Sequence, residues 1–412
     1  MSNAESVTLH GRTYQLPRKP TVIICIDGFD PEYLEAGLAE GIVPNMAKLM
    51  SDGFHATATC SMPSVTNANN VSIITGAPTA VHGIATNYFL DRLTGKETMI
   101  ADDALVRGST ILAEMAAQGV RVAAVTAKDK LRKILQRGLV DRPDAICYST
   151  QLASDKVLAW LGHHDARPDQ YSAELSLYVL EAGVKLLRED KADLLYLTLS
   201  DYVQHKYAPH EREAQQFLAT IDERIGECLQ LGAVVAVTGD HGMSDKSDAD
   251  GNPVVLYVQD ELEKKFGLGC ARVICPIADP FVVHHGALGG FVRVYVPESH
   301  AGHIPAMAAF IGSFDKVEVS LLKEEAAARF EMPLDREGDF VIVAKENAVL
   351  GAKEAEHDLS GLRGHRLRSH GGLSEQRIPL LLSVPVTYRD ANTREWRNYD
   401  IFDIALNSQL GY

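Results

Sequence analysis

The chain has 412 residues, of which 46% are hydrophobic and 23% charged, which is typical of a globular protein with one large and one smaller domain. The net charge of -15 argues against nucleic acid as a partner, because phosphate backbones are bound by basic surfaces. No apolar run reaches the roughly 20 residues of a membrane span. The first residues lack the apolar stretch of a signal peptide. The cysteines form no CxxC pair, which indicates reduced thiols in a cytoplasmic protein.

The first two thirds of the chain alternate apolar strands with helices. Continuous apolar runs, typical of strands covered on both faces, lie at 21–26, 120–126, 193–199 and 233–238. Helical patterns lie at 154–162, 172–190 and 211–231. This alternation predicts an α/β fold with a mostly parallel sheet flanked by helices, whose ligands bind beyond the carboxyl ends of the strands.

The stretch from 245 to 365 breaks this alternation. It contains Gly-rich turns, a predicted strand at 291–296 and predicted helices near 303–312 and 320–330. We interpret 245–365 as an inserted, smaller α+β cap domain, and residues 1–244 with 366–412 as the catalytic core. The core pattern resumes with a strand at 378–384 and a last helix near 399–409.

Acids and histidines follow the predicted strands at the ligand-binding edge. They are Asp27 after the first strand, Asp201 and His205 after the third, Asp240 and His241 after the fourth, and His370 after the cap. Asp27 or Asp201 alone is better explained as a helix cap or turn former, and His370 alone as a surface histidine. Asp240 and His241 are a stronger signal, because two adjacent ligand-type residues precede a glycine at a strand end. Together they favour a metal site, because converging carboxylates repel one another unless cations lie between them. With the candidate Thr66, imidazole and carboxylate ligands in this number suit two Zn²⁺ about 4 Å apart, with Mn²⁺ or Fe²⁺ as alternatives.

Thr66 is the candidate nucleophile, since segment 62–76 is predicted to be a loop that enters a helix. Free N–H groups at a helix N-terminus would favour its alkoxide and any phosphoryl oxygens beside it. Metal coordination would lower the pKa of the hydroxyl, so no separate base is needed. For Thr66 taken alone, an ordinary N-cap remains the better interpretation.

Six motifs occur in one order along the chain: CIDGFDPEYL (25–34), PNMAKLMSDG (44–53), MPSVTNANNVSIITGAPTAVHGIATNYFLD (62–91), SDYVQHKY (200–207), TGDHGM (238–243) and SHGG (369–372). Together they resemble the alkaline phosphatase superfamily of two-metal enzymes, and within it the nucleotide pyrophosphatase/phosphodiesterase-like branch. The resemblance implies a first metal held by Asp27, Thr66, Asp240 and His241, and a second held by Asp201, His205 and His370. It also implies a covalent phosphothreonine on Thr66 and a donor role for Asn87, whose alternative role is that of a turn former.

Lys128 and Lys130 follow the second strand at the same edge. In an extended segment alternate side chains point the same way, so both ammoniums could bind one further anionic group, such as a carboxylate. A solvated basic turn is an equal alternative from the residues alone. The resemblance extends to those members of the branch that hydrolyse the C–P bond of phosphonoacetate, where a lysine pair binds the carboxylate, and implies a small organophosphonate as substrate.

Two alternative functions are compatible with the same motifs. A phosphodiesterase or nucleotide pyrophosphatase would have the same two-metal site, although Asn67 and Ala68 depart from the aromatic residue and proline of the diesterase pattern. A metal-stabilised binding protein with a degenerate site is disfavoured by the intact ligand set. The sequence leaves open the roles of His284 and His285 in the cap, and the oligomeric state, for which a homodimer is one alternative.

Overall fold

The structure is a computed structural model that describes residues 5–92, 94–163, 167–278, 285–362, 364–388, 390–391 and 393–411. Its strands, in chain order, are β1 (Ser6–Leu9), β2 (Arg12–Gln15), β3 (Thr21–Ile26), β4 (Phe54–Thr59), β5 (Tyr88–Asp91), β6 (Lys96–Met99), β7 (Val122–Thr126), β8 (Ala145–Ser149), β9 (Leu194–Thr198), β10 (Val234–Gly239), β11 (Ser244–Asp245), β12 (Val255–Tyr257), β13 (Arg272–Ile274), β14 (Phe291–Tyr295), β15 (Val317–Leu322), β16 (Phe340–Ala344), β17 (Val349–Gly351), β18 (Arg368–Ser369) and β19 (Arg377–Leu382).

The α-helices complete the core and the insert. In chain order they are α1 (Pro31–Ala39), α2 (Pro44–Asp52), α3 (Thr66–Thr75), α4 (Thr79–His82), α5 (Ile111–Ala117), α6 (Asp129–Leu135), α7 (Asp155–Leu161), α8 (Glu174–Arg188), α9 (Tyr202–Lys206), α10 (Arg212–Gln230), α11 (Val258–Phe266), α12 (Ile304–Gly312), α13 (Lys323–Phe330) and α14 (Ile401–Asn407).

The central sheet has seven strands in the order β4-β19-β10-β3-β9-β7-β8. The pairs from β10 to β8 are parallel, whereas β19 is antiparallel to both of its neighbours. The mostly parallel α/β sheet predicted from the sequence is therefore confirmed. The prediction did not include the edge strands β4 and β8, because their residues are only partly buried and lack a continuous apolar run.

Both faces of the sheet are covered, which explains why the central strands are apolar throughout. Val22, Ile24 and Ile26 of β3 face one hydrophobic cluster, which includes α8 and α10. Ile23 and Cys25 face the other, which includes α3 and α14. Successive side chains of a strand point to opposite faces of the sheet, so β3 contributes to both hydrophobic clusters.

The segment predicted to be a cap contains a second sheet with its own core. Its strands lie in the order β13-β14-β16-β15 and pair antiparallel, with α12 and α13 packed on them. The hydrophobic cluster of this sheet also includes Val65 and Ala68, at the start of α3. The inserted elements therefore pack directly against the helix that begins at Thr66, while the boundaries at 244 and 366 remain a prediction.

Helix α3 is buried on every side, since the central sheet and the inserted sheet cover it together. It ends at Gly76, whose φ of +63° lies in the left-handed region that favours glycine. A Cβ at Gly76 would lie 1.9 Å from the Tyr14 hydroxyl. Any side chain there would force either Tyr14 or the end of this helix to shift.

Within the described ranges no helix is both long and apolar enough to cross a bilayer.

Candidate active site

Parallel strands deliver the three predicted aspartates to one edge of the sheet. Asp240, Asp27 and Asp201 follow β10, β3 and β9, which are adjacent in the sheet. His205 lies one helical turn after Asp201, in α9. Because these strands run in the same direction, their carboxyl ends and the side chains that follow them meet at the predicted edge.

His370 is placed beside this edge by a short strand pair. β18 pairs antiparallel with β11, which follows Asp240 and His241. The rings of His370 and His241 consequently stack, with centroids 3.6 Å apart and an interplanar angle of 11°. Residues about 130 positions apart in the sequence thus contribute to one site.

Two groups of ligand-type side chains result. Asp201, His205 and His370 form one group, and Asp27, Asp201 and His241 form the other, with the candidate ligand atoms of each group within 4.8 Å of one another. All five residues are buried. Asp201, which the resemblance assigned to the second metal alone, lies close enough to contribute to both groups.

Asp240 and Thr66 lie beside the second of these groups. Asp240 Oδ2 is 3.8 Å from His241 Nε2, and the Thr66 hydroxyl is 3.4 Å from the same nitrogen. The structure therefore brings together all seven side chains that the sequence predicted as metal ligands.

Hydrogen bonds to backbone carbonyls orient all three histidines. The Nδ1 atom of His205 is 2.8 Å from Arg368 O, that of His241 is 2.9 Å from Gly242 O, and that of His370 is 2.7 Å from Ser64 O. A carbonyl only accepts, so each Nδ1 donates and the neutral ring keeps its lone pair on Nε2. Each Nε2 faces the carboxylates, which is the arrangement that metal-binding histidines adopt.

The charges of the cage favour a cation. Burial raises the pKa of Asp240 well above its usual range, and the neighbouring Asp27 raises it further. Burial lowers the pKa of His241, but Asp240 and Asp27 outweigh burial and raise that pKa to about 9. Burial lowers the pKa of His370 to about 4. A buried carboxylate that binds a proton as readily as Asp240 does would also attract a divalent cation.

This arrangement fits divalent metals in its donor set as well as its charge. The Oδ1 atom of Asp27 is buried without a hydrogen-bond donor, and it lies 3.2 Å from His241 Nε2. Two acceptor atoms this close need a shared proton or a shared cation between them. Imidazole nitrogen with carboxylate oxygen is a donor set that suits zinc, manganese or iron.

The two predicted lysines lie in different local structures. Lys128 is extended and precedes α6, and its buried ammonium donates to Asp27 Oδ2 at 2.9 Å and to Asp201 Oδ1 at 2.8 Å. Lys130 lies in the first turn of α6 and is partly buried. The predicted extended segment is therefore wrong at Lys130, because the helix begins at Asp129.

Asn87 lies beside the N-terminus of α3. Its Oδ1 accepts the backbone N–H of Asn67 at 3.0 Å, which orients the Asn87 amide next to Thr66. The Asn67 side chain in turn donates to Ile100 O at 3.2 Å, which holds the Asn87 segment against the helix. Asn87 is buried, so it does not lie in an exposed turn.

Asn70 is a site residue that the sequence reasoning missed. Its Nδ2 donates to Asp240 Oδ2 at 3.1 Å, while its Oδ1 accepts from the Tyr196 and Thr198 hydroxyls. Asn70 thereby orients a predicted metal ligand from one helical turn beyond Thr66. Asn70 could have been recognised as a candidate because it is a polar residue in a helix that is buried on every side.

His285, one of the two histidines predicted to lie in the cap, lies beside the site. His285 is buried and its ring stacks on that of His205, with centroids 4.6 Å apart. His284 lies outside the described residues. His285 therefore covers one side of the histidine cluster.

Comparison with known proteins identifies the family of this chain. The chain matches the family model described as Type I phosphodiesterase / nucleotide pyrophosphatase over residues 21–372. The chain belongs to this family. The resemblance to the nucleotide pyrophosphatase/phosphodiesterase-like branch is thus confirmed.

Solved structures of this fold include two of phosphonoacetate hydrolase from Sinorhizobium meliloti 1021, in complex with phosphonoformate and with phosphonoacetate. Each is 45% identical to this chain, with a TM-score of 0.92, and the match covers 99% of this chain and 100% of that chain. Murine ectonucleotide pyrophosphatase / phosphodiesterase 5 shares the fold at 17% identity, with a TM-score of 0.64 over 94% of this chain and 93% of that chain.

Two curated relatives match over shorter stretches. A pyrophosphatase/phosphodiesterase of Schizosaccharomyces pombe is 25% identical over 55% of this chain, and phosphonoacetate hydrolase of Penicillium oxalicum is 79% identical over 7% of it. The matches span 45% and 39% of these relatives, which is less than half of each.

Proposed function

We propose that this chain hydrolyses phosphonoacetate to acetate and phosphate, using a two-metal site and a phosphothreonine formed on Thr66. The observation that supports this most strongly is the 45% identity, over nearly the whole of both chains, to a phosphonoacetate hydrolase whose structure contains phosphonoacetate. The buried cage of three aspartates and three histidines beside Thr66 supports the same chemistry.

Asp27, Thr66, Asp240 and His241 would hold the first metal, and Asp201, His205 and His370 the second. Two Zn²⁺ are proposed, with Mn²⁺ or Fe²⁺ as alternatives, because all three accept mixed nitrogen and oxygen ligands. When bound, such ions supply Lewis-acid chemistry, lowering the pKa of a nearby hydroxyl and offsetting the charge of a phosphonate.

Thr66 carries the covalent step. The Thr66 hydroxyl gives up its proton to solvent, and its oxygen forms a bond to phosphorus as the C–P bond breaks, with the electron pair of that bond passing to the methylene carbon. The adjacent carboxylate takes up this charge as an enolate, which a proton from water converts to acetate. Water then hydrolyses the phosphothreonine, which regenerates Thr66 and releases phosphate.

The surrounding residues position the substrate. The first N–H groups of α3 favour negative charge on the phosphoryl oxygens, and the Asn87 amide, held by Asn67, lies beside Thr66 as a donor to one of them. Lys128 and Lys130 are proposed to stabilise the carboxylate, where extra charge develops as carbon departs.

The proposal is tested by comparing phosphonoacetate with bis-p-nitrophenyl phosphate as substrates of one zinc-reconstituted preparation. We expect faster turnover of phosphonoacetate. The alternative, a phosphodiesterase with the same site, is favoured by the family match alone. Faster turnover of the diester would support that alternative and overturn the choice of substrate.

A further inference from the structure

Glu375 lies where two of the predicted metal-binding segments meet, and its side chain is fully buried. Its Oε2 accepts the Gly372 N–H at 2.9 Å, two residues beyond His370. Its backbone carbonyl accepts the Gly242 N–H at 2.7 Å, one residue beyond His241. One residue thus contacts a segment from each of the two groups of ligands.

Lys246 holds the other carboxylate oxygen of Glu375. Its buried ammonium lies 2.8 Å from Oε1, which also accepts from the Ser244 and Ser374 hydroxyls. Burial raises the pKa of Glu375, but Lys246 and these hydroxyls outweigh burial and lower the pKa below its usual value. Glu375 is therefore ionised, and both of its oxygens have partners.

The glycines around Glu375 allow its close approach to the His370 segment. A Cβ on Gly372 would lie 3.1 Å from Glu375 Oε2, and one on Gly290 would lie 3.3 Å from it. On the opposite side of the segment, Ser64 accepts from His370 Nδ1 and from the Gly371 N–H. The segment is held between Ser64 and Glu375 with little freedom to shift.

We propose that the Glu375–Lys246 pair is a positioning device, which fixes the His241 and His370 segments relative to each other and so sets the spacing of the two metal sites. The inference rests on the two-metal site of the proposed function. Groups that orient metal ligands typically change metal affinity about 10- to 100-fold when they are removed. The pair should therefore control the retention of metal more than the binding of substrate.

The hydrogen bond to Gly372 can be separated from the ion pair with two charge-neutral double variants. Lys246→Met/Glu375→Gln keeps an acceptor for the Gly372 N–H, whereas Lys246→Met/Glu375→Leu removes it at similar volume. Neutral replacement of both partners avoids an unpaired buried charge, so both variants are expected to fold. Glu337→Gln is the control for a loss of stability away from the cage, because it leaves Arg293 of the buried Arg293–Glu337 pair, with an N–O distance of 2.7 Å, without its carboxylate.

The readouts are zinc release into excess chelator, followed with a chromogenic zinc indicator, and thermal unfolding of the same samples. We expect the Leu double variant to release zinc about 10-fold faster than wild type. The Gln double variant, which loses the ion pair but keeps the acceptor for Gly372, should release zinc at a rate between those of wild type and the Leu double variant, and Glu337→Gln should lose stability without faster release. In turnover, the Leu double variant should lose kcat with little change in KM.

Release rates that follow thermal stability alone across these variants would overturn the inference, since that is the result of a merely structural role. If the Leu double variant does not fold, the same inference requires faster release from Lys246→Met than from Glu337→Gln, and equal rates would contradict it. Failure of wild-type protein to retain zinc would contradict the proposed function itself, and this inference with it. Zinc retained by wild type, with unchanged release from the Leu variant, would contradict this inference alone.

Discussion

The Lys128 ammonium lies 2.8 Å from Asp201 Oδ1, although the two residues follow different strands, and it also donates to Asp27. It therefore neutralises carboxylates that are proposed to bind metal. An ammonium and a divalent cation would compete for the same oxygens. Lys128 thus pairs with the carboxylates of the cage, and it is also proposed to bind the carboxylate of the substrate.

Replacing Lys128 with methionine should destabilise the metal-free protein, because it leaves two buried carboxylates without their cation. Loss of one partner of a buried pair costs about 3–5 kcal/mol. The zinc-loaded variant should lose much less, since zinc would supply the missing positive charge. Thermal unfolding in chelator and in excess zinc measures both values, and equal losses under the two conditions would argue against competition between Lys128 and metal.

Thr66→Ala should lower phosphonoacetate turnover by at least about 10³-fold, because loss of a covalent nucleophile removes the step itself. Thr66→Ser keeps the hydroxyl and should retain measurable turnover. Acid quenching of wild-type protein during turnover, followed by peptide mass spectrometry, should find one phosphoryl group on Thr66. Substantial turnover by Thr66→Ala would contradict the covalent mechanism.

Lys130→Met should weaken turnover of phosphonoacetate about 10- to 100-fold, which is the usual contribution of a hydrogen bond to a charged group. A phosphonate aryl ester without a carboxylate should be affected much less. Lys133→Met, an exposed position on the same helix, is the control. The ratio of kcat/KM for the two substrates is the measurement, and equal loss on both would remove the carboxylate role of Lys130.

The buried side chain of His82 should make the free energy of unfolding depend on pH, independently of the proposed metal site. It is buried, its Nδ1 accepts the Ile84 N–H, and its Nε2 lies 2.9 Å from Ser72 Oγ. Burial lowers the pKa of His82 from 6.5 to about 3. A lowered histidine pKa means that the unfolded chain takes up the proton first, so stability falls as the pH drops below about 6.5.

Between pH 7 and pH 5 this contribution amounts to about 2 kcal/mol. His82→Asn keeps an acceptor for Ile84 but cannot be protonated. We expect the variant to be less stable at pH 7, yet to lose about 2 kcal/mol less than wild type over this pH interval. Denaturant unfolding of metal-free protein at both pH values checks this, and parallel losses in the two proteins would refute the role of His82.

The sequence predicted most of the side chains of the proposed metal site because they follow strands with a clear pattern. The apolar runs of β3, β9 and β10 located the sheet edge, and Asp27, Asp201 and Asp240 lie just beyond those runs. His370 has no such apolar run before it, so the sequence placed it only after the cap, and the family resemblance assigned it to the second metal. The structure adds the physical reason for its place, which is the pairing of β18 with β11.

Several further features depend on contacts between distant segments, which local patterns do not contain. Asn70 and Glu375 act through hydrogen bonds to residues far from them in the sequence. The pairing of Lys128 with Asp27 and Asp201 depends on the order of neighbouring strands. The sequence predicted an extended segment through Lys130, whereas α6 begins at Asp129.

The proposed activity is hydrolysis of the C–P bond of phosphonoacetate by a metal site in this cage. The most direct test follows acetate and phosphate by NMR, with protein that is stripped of metal by a chelator and then reloaded with zinc. We expect equal amounts of the two products, loss of activity on stripping, and recovery with about two zinc ions per chain. Product formation by stripped protein, or no acetate from the reloaded protein, would contradict it.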